Sequence, residues 1–586
     1  MRDDYYVQDR RSAFRSLTKL YPYLRPHLST LSIAILAMIV GAVIGILLPM
    51  FARIAIDRYI AVGDGAGLIR LILLATGLFI VANLTTAIRA RLMAKVGQDI
   101  IRAIRRDLFK KLQVLPVSWF DKIPVGKVVT RLTSDVDALS ELVSNAVVNT
   151  SIETLRLFGF LAVMIWLDWR LTAITLALLP LLVYAMFFLS YRIHRAEDEV
   201  REQASVVNAN SQETISGVKV IQAFGAQEYF EDRFARDNAS LLNASLYALR
   251  VYAYFWPLVD LNWFLSVGAL LFFGGRWVLD GSTTVGTLIA FIGYSGQFFG
   301  PLRGLSQAYR IIQRGLAGAV RIHDILSTPA EVDPSLPPMP QIKGHVQFKD
   351  ITFGYSDDEM VLRNINLEAQ PGQTIALVGH TGAGKTSIIN LLCRFYQPQK
   401  GQILVDGHDI WERELSSYRQ QVGLVLQEPF LFSGTLRDNL RFGAPDATDE
   451  ELWAALETVG LKESFQQQKV TLDTLLTERG SNFSTGQRQL LSFARALLAD
   501  PKILILDEAT AHVDTVTEQR VQEALQKLLA GRTSFVIAHR LSTIRNADEI
   551  VVIGQGRILE QGNHESLMAR KGEYWELVSA QDSIAG

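Results

Sequence analysis

Residues 379–386 read Gly-His-Thr-Gly-Ala-Gly-Lys-Thr, a Gly-x-x-x-x-Gly-Lys-Thr spacing suited to holding phosphate. The glycines let successive backbone N–H groups turn toward one point, and a following helix adds positive potential at its N-terminus. Lys385 would bridge β- and γ-phosphate oxygens, and the Thr386 hydroxyl would bind Mg²⁺. Gly379, His380, Thr381, Gly382, Ala383, Gly384 and Ser387 complete the cradle. A second set, 502–508, reads Lys-Ile-Leu-Ile-Leu-Asp-Glu, an apolar run ending in two carboxylates. Asp507 suits Mg²⁺ held through water. Glu508, one residue on, suits a general base that activates water at a γ-phosphate. The plainer account of Asp507 and Glu508 is a helix N-cap with a first-turn acid. The phosphate loop upstream argues for the first reading.

These residues need a strand before the loop and a helix after it, and the sequence supplies both: strand-like 374–378 and apolar 387–395. From 345 onward, short β-rich runs alternate with helical stretches, the pattern of an α/β domain. Five of the 18 prolines, at 329, 334, 337, 338 and 340, mark a stiff linker before it. The expected division is a helical membrane domain over 1–315, a linker over 316–344, and a nucleotide-binding domain over 345–586.

Upstream, residues 28–52 contain no charge and exceed the ~20 helical residues needed to cross a bilayer. The run 71–88 is shorter but extends through Arg70 and Arg89, which can snorkel, and 171–191 and 281–302 are further clean spans. Two more are interrupted, 142–167 by Glu153 and Arg156, and 251–275 by Asp260. Six spans are therefore predicted, at approximately 28–56, 68–92, 142–167, 171–193, 249–275 and 281–310. The long stretch 89–141 is rich in Lys and Arg, 192–250 is long and polar, and the other joins are short. Positive-inside bias places both long loops and both termini in the cytoplasm, the loops as helices continuing past the bilayer. Residues 1–11 are charged and no cleavable signal follows. Residues 16–28 read either as an amphipathic helix at the inner surface or as an extension of the first span.

Composition narrows the classes. The 586 residues carry 58 Lys+Arg against 59 Asp+Glu, a net charge of −1, without the basic footprint of a nucleic-acid partner. One cysteine, Cys393, excludes an internal disulfide framework and reads as a small buried hydrophobe. The nine histidines show no metal-ligand spacing. A mean hydropathy of +0.19 averages an apolar half with a polar one.

The stretch 484–490, Ser-Thr-Gly-Gln-Arg-Gln-Leu, resembles the signature motif of ATP-binding cassette (ABC) proteins. With six spans before the cassette, the chain from about 16 to 580 resembles an ABC exporter half-transporter of the multidrug or lipid-exporter type. By that resemblance, Tyr355 is similar to the aromatic that stacks on adenine. Gln427 is similar to the glutamine that contacts Mg²⁺ and the attacking water. Asp514 resembles the D-loop aspartate, and His539 the switch histidine near the γ-phosphate. Residues 474–480, with Glu478, resemble the exporter X-loop, although Thr477 stands where glycine is usual. Ser484, Gly486 and Gln487 would reach ATP held by the opposite cassette, so two chains would form a working unit. Thr485 departs from the family's Leu-Ser-Gly-Gly-Gln, with a β-branched residue where phosphate approaches. Because Glu508 and His539 are intact, that pattern resembles one chain of a bacterial heterodimeric exporter. A homodimer with a tolerated variant is the alternative.

The resemblance implies ATP and Mg²⁺ as cofactors, a second half-transporter chain as partner, and an amphiphilic or lipid cargo. It also implies an inner-membrane location with the cassette in the cytoplasm. Trp119 and Phe120 mark the tip of the first long loop, and 214–224, with Phe224, resembles a coupling helix. Ordinary amphipathic turns would read the same way. Glu153 and Arg156 stand three apart on one helical face, either lining a route or forming a salt bridge. Tyr294 and Phe298 belong to an aromatic group that suits amphiphilic or cationic cargo, or simple membrane packing. The second functional class is a membrane ATPase that regulates without transporting, and a third reading is a homodimeric lipid flippase. No long external segment is present to receive a binding protein, which disfavours an importer.

Overall fold

A computed structural model describes residues 21–585 apart from Leu178, Pro334, Asp357, 508–514 and 539–543. Side chains are described except also at 145–147, 181, 182, 186, 256, 259, 299, 302, 303, 305–307, 309, 515–517 and 581–585. The chain forms two compact units. One runs to Lys110 and resumes over Val128–Ser327; the other joins Lys111–Lys127 to the chain from Thr328 onward.

The first unit is helical. Among the described residues, Tyr21–Ile60, Gly65–Leu112, Val125–Leu167 and Asp260–Leu279 are long and apolar enough to cross a membrane, and Val285–Phe298 is a shorter apolar stretch. The expected span at 171–193 instead falls on helices Trp169–Ala177 and Leu179–Ser216, on either side of Leu178. None of the apolar stretch of Gly65–Leu112 is buried, so Ile69, Ile72, Leu73, Phe79 and Ile80 face outward. An apolar surface of this extent requires lipid or another helix against it. The 48 residues of that helix, at about 1.5 Å each, reach roughly 70 Å, more than twice a ~30 Å hydrocarbon core. Helix Leu28–Ile54 packs against Val147–Leu167 and Val285–Ser327. Asp57 caps the start of the last helix, accepting from Thr284 Oγ1 at 2.6 Å and from the Gly286 amide at 2.9 Å. Leu179–Ser216 and Gln227–Ala253 pack on one another as a hairpin through the short helix Val218–Ala223.

Two sequence expectations change. Residues 16–20 lie outside the described residues, and beyond them one helical turn, Tyr21–Leu24, gives way to a 3-10 turn, Arg25–His27, before the first long helix. Pro26, which has no N–H to donate, sits in that break. The last helix continues past residue 315 to Ser327. The apolar run ends earlier, but Ala319, Ile322 and Ile325 keep a three-residue spacing and are buried. Asp135, in the wide turn Arg131–Asp135, is buried and grips Arg321 of this helix through two hydrogen bonds at 2.5 and 2.7 Å.

The second unit contains strands β1 (Val346–Phe353), β2 (Leu362–Ala369), β3 (Thr374–Val378), β4 (Lys400–Val405), β5 (His408–Asp409) and β6 (Val422–Val425). They are followed by β7 (Gly434–Thr435), β8 (Leu475–Leu476), β9 (Ile503–Asp507), β10 (Thr533–Ile537), β11 (Glu549–Gly554) and β12 (Arg557–Gly562). The main sheet has the order β12-β11-β3-β10-β9-β6, and its five inner-to-edge strands from β11 to β6 run parallel. Parallel strands are covered on both faces, and period-two alternation shows how. Leu504, Leu506 and Val536 enter one core with the helices of 436–498. Ile503, Ile505, Phe535 and Ile537 enter the other, with the β1-β2-β4-β5 sheet and Cys393.

The Asp135–Arg321 pair generates a stability prediction. Arg321→Ala leaves a buried carboxylate without its fork and should cost about 3–5 kcal/mol. The cost reads out as a lowered thermal midpoint of the purified chain, and an unchanged midpoint would show that the pair contributes nothing.

Candidate functional site

Strand β3 ends at Val378 and the chain turns through 379–384 into helix Lys385–Leu392. Three glycines with positive φ make that turn possible, Gly382 at +82° in open space and two that are also crowded. Gly379 has φ +146° and Gly384 φ +109°, and a Cβ on them would lie 2.1 Å from the Ile553 carbonyl oxygen and 2.6 Å from Leu362 Cδ2. Any other residue would be strained at these dihedrals and clash as well. Lys385 is buried, and its ammonium donates to the Gly379 and His380 carbonyls at 2.7 and 2.9 Å. Burial pushes this ammonium below the usual lysine value, and the Asp507 carboxylate opposes that shift. Asp507 is the last residue of β9, so Lys385 and Asp507 share one end of the sheet.

Topology explains why they meet. β3, β6, β9 and β10 are parallel, with Leu377 level with Ile537, Ile537 with Asp507, and Val425 with Leu506. Their C-terminal ends therefore lie along one edge, where ligands bind in open α/β sheets. The phosphate loop, Asp507 and Gln427, two residues after β6, all leave from that edge. Gln427 is exposed. Glu508 and Asp514 follow β9, and His539 follows β10, but all three lie outside the described residues.

Tyr355 stands over the helix after the loop. Its ring meets Phe353 and Tyr396 edge-on, with centroids 5.0 and 4.9 Å away. Its hydroxyl shares a 3.1 Å hydrogen bond with Ser387 Oγ and accepts from Asn390 Nδ2 at 3.0 Å. Tyr355 remains 46% exposed, so an aromatic platform is fixed beside the phosphate loop with surface left for a ligand. Sequence reasoning missed Asn390. Its spacing from Ser387 places both on one helical face, the signal that could have found it.

Ser484, Gly486 and Gln487 open a different helix, Thr485–Leu498. Ser484 Oγ accepts from the Gln487 amide at 3.2 Å, and Gln487 Oε1 accepts from the Ser484 amide at 3.0 Å. This reciprocal box fixes the helix start. Thr485 is its first residue and is exposed, with Oγ1 accepting from Arg488 at 3.2 Å. The same helix reaches the Gln427 loop through Arg495, also missed in the sequence, which donates to the carbonyls of Phe430 at 3.2 Å and Asn439 at 3.0 Å. In the 474–480 segment, Thr477 shares hydrogen bonds with Ser481 and Asn482, and Arg479 adopts φ +55°.

In the helical unit, Glu153 and Arg156 form an ion pair at 3.7 Å and line a cavity of about 180 Å³ with Met38, Gly41, Thr86 and Arg89. Tyr294 and Phe298 are placed elsewhere. Both are buried in a packed cluster with Ile46, Phe160, Met164 and Phe291, and the Tyr294 hydroxyl donates to the Ile46 carbonyl at 2.8 Å. At the loop tips, Pro116 caps helix Val117–Lys122, in which Trp119 and Phe120 meet edge-on at 5.0 Å. Phe224 is 82% exposed, beside outward-facing Ile215, Val218 and Val220.

Comparisons with known proteins agree with this geometry. Residues 31–302 match the ABC transporter transmembrane region, and 362–511 match the ABC transporter domain. An ATP-dependent lipid A-core flippase of Syntrophus aciditrophicus is 36% identical, over 98% of this chain and 95% of its own. A fatty acid ABC transporter ATP-binding/permease protein of Mycobacterium bovis is 37% identical, over 88% and 82%. The solved structure of a bacterial Atm1-family ABC exporter with ATP bound superimposes with a TM-score of 0.76 at 28% identity, covering 95% of this chain and 98% of that one. With its apolar helices preceding a phosphate-binding cassette, this chain belongs to the ABC exporters, inner-membrane proteins whose cytoplasmic ATPase domain couples ATP hydrolysis to transport.

Proposed function

We propose that the chain exports a hydrophobic or amphiphilic compound, a lipid or a drug-like molecule, from the cytoplasm or inner leaflet outward, and does so as a dimer. The observation that carries the reading is the phosphate loop at the edge it shares with Asp507, under the fixed Tyr355 ring. The matched lipid A-core flippase and fatty acid transporter support an amphiphilic cargo. The outward apolar face of Gly65–Leu112 suits lipid or a second chain.

In this reading Tyr355 stacks on adenine. The backbone N–H groups of 379–387 and Lys385 hold the phosphates. Thr386, Gln427 and Asp507 would hold Mg²⁺, a donor set of one carboxylate and neutral oxygens that fits an ion completing its shell with phosphate and water. That ion would neutralise charge on the transferred group. Glu508 takes the proton of the attacking water, and His539 and Asp514 are assigned to ATP contacts by their resemblance to the switch histidine and the D-loop aspartate. By the resemblance to ABC exporters, Ser484, Gly486 and Gln487 complete the partner's site, and their reciprocal box fixes the helix start that would present them. The exposed Phe224 tip docks on the partner cassette, and Trp119 and Phe120 serve their own. Thr485 favours a partner with an unaltered signature, because its side chain is exposed where phosphate would approach. Glu153 and Arg156 line a polar part of the route.

Three outcomes test this. Glu508→Gln should retain ATP binding while steady-state hydrolysis falls by about a hundredfold or more; undiminished hydrolysis would remove Glu508 from the role. Gly384→Ala, which drives a Cβ into Leu362, should abolish binding of ATP by the full chain in an equilibrium assay. The chain purified without a partner should hydrolyse ATP slowly, with Thr485→Gly raising the rate. Full activity of the lone wild-type chain, indifferent to this change, would establish the homodimer.

A further inference from the structure

The segment between the membrane-helix sequence and the cassette, 328–344, is fastened along its length to one short helix, Leu415–Arg419, and the residues flanking it. The Pro337 carbonyl accepts from the Glu414 amide at 2.9 Å. The Met339 amide donates to Ser417 Oγ, and the Ile342 amide donates to Gln421 Oε1, each at 2.8 Å. At the near end, Glu331 accepts both arms of Arg419, at 2.6 and 3.1 Å, in a half-buried fork.

Arg419 also faces the other way. Its Nε donates to the Cys393 carbonyl at 3.2 Å and one terminal nitrogen to the Arg394 carbonyl at 2.9 Å, while the neighbouring Tyr418 hydroxyl donates to the Leu392 carbonyl at 2.6 Å. The Leu392 and Cys393 carbonyls close the helix that begins at Lys385 and that of Arg394 follows it, and carbonyls at a helix C-terminus need such donors. Glu331 in turn donates its backbone N–H to the Val114 carbonyl at 2.8 Å. Val114 lies in Lys111–Lys127, the segment of the first loop tip that groups with the cassette. The chain after Arg419 continues through β6 to Gln427, so the same bracket joins both phosphate-facing elements.

We propose that Glu331 and Arg419 are positioning residues for coupling. They form a strut that ties the phosphate-loop helix to the first loop tip, so that a nucleotide-driven shift of that helix is felt at 111–127. A charge-assisted fork is stiffer and more directional than a backbone bond alone. This inference rests on the ATP-driven reading above but names residues that touch neither ATP nor metal.

The test is amide hydrogen exchange of 111–127 in the full-length chain in lipid nanodiscs, with and without ATP and Mg²⁺, alongside the KM for ATP. In the wild type, exchange in this segment changes on ATP addition. In Glu331→Ala the KM stays as in wild type and the ATP-dependent change shrinks by about fivefold or more, the low end of inter-site coupling. The isosteric Glu331→Gln, which preserves packing and one arm of the fork, gives an intermediate value and guards against a folding defect. Arg419→Lys, a point charge in place of a fork, behaves likewise. An unchanged response in Glu331→Ala overturns the strut, as does a loss matched by an equal loss of ATP affinity. A wild-type chain that binds no ATP instead fails the reading of the site itself.

Discussion

Backbone amides converge on a single anion only where the chain leaves the dihedrals that side chains prefer, and here that demand falls on Gly379, Gly382 and Gly384. The demand propagates outward. Gly379 lies 2.1 Å, by its absent Cβ, from the β11 backbone, and Gly384 is pressed against Leu362 at the start of β2. The loop is therefore held between two sheets, with β3 buried on both faces beneath it. Moving the loop would mean moving the sheets. The phosphate site thus has a firm floor in β3, and a shift on nucleotide binding falls on the helix Lys385–Leu392 that leaves it.

The helical half follows a different physical rule. In the cassette, apolar side chains are driven inward by water, and alternate residues of β9 and β10 divide between two cores. In Gly65–Leu112 the apolar stretch faces out, and the other helices are joined by a packed apolar cluster around Tyr294 and by polar contacts between residues far apart in the chain. Asp57 caps the last helix, Tyr294 bonds to the Ile46 carbonyl, and Asp135 grips Arg321. Hydrocarbon offers no hydrophobic drive between helices, so close packing and hydrogen bonds take its place.

Local structure carried by contiguous residues was legible in the sequence. The strand and helix around the loop 379–386 and the strand that ends at Asp507 are local patterns, whereas the Ser484–Gln487 box emerged only in the structure. The meeting of Lys385 with Asp507 depends on the order of strands far apart in the chain, which no motif spells out. The same limit separated Tyr294 and Phe298 from Glu153 and Arg156. Aromatic content says nothing about which helix face a ring occupies, and both rings turned out to be core. The boundary at 315 marked the end of apolar sequence, yet the helix persisted to Ser327 because three spaced apolar residues still had a surface to cover. The clamp on Tyr355 by Ser387, Asn390, Phe353 and Tyr396 depends on tertiary packing that no local pattern spells out.

Cys393 has a practical consequence. It packs just beyond the phosphate-loop helix, 4% exposed, and burial pushes its thiol up to about 12. Since only the thiolate attacks electrophiles, the chain behaves toward maleimide or methanethiosulfonate reagents as though it contained no cysteine. A cysteine introduced at an exposed position such as Phe224 would then be the sole attachment point for a spin label or fluorophore. Distances between two chains could be followed through the ATP cycle without first stripping the native thiol from the cassette core.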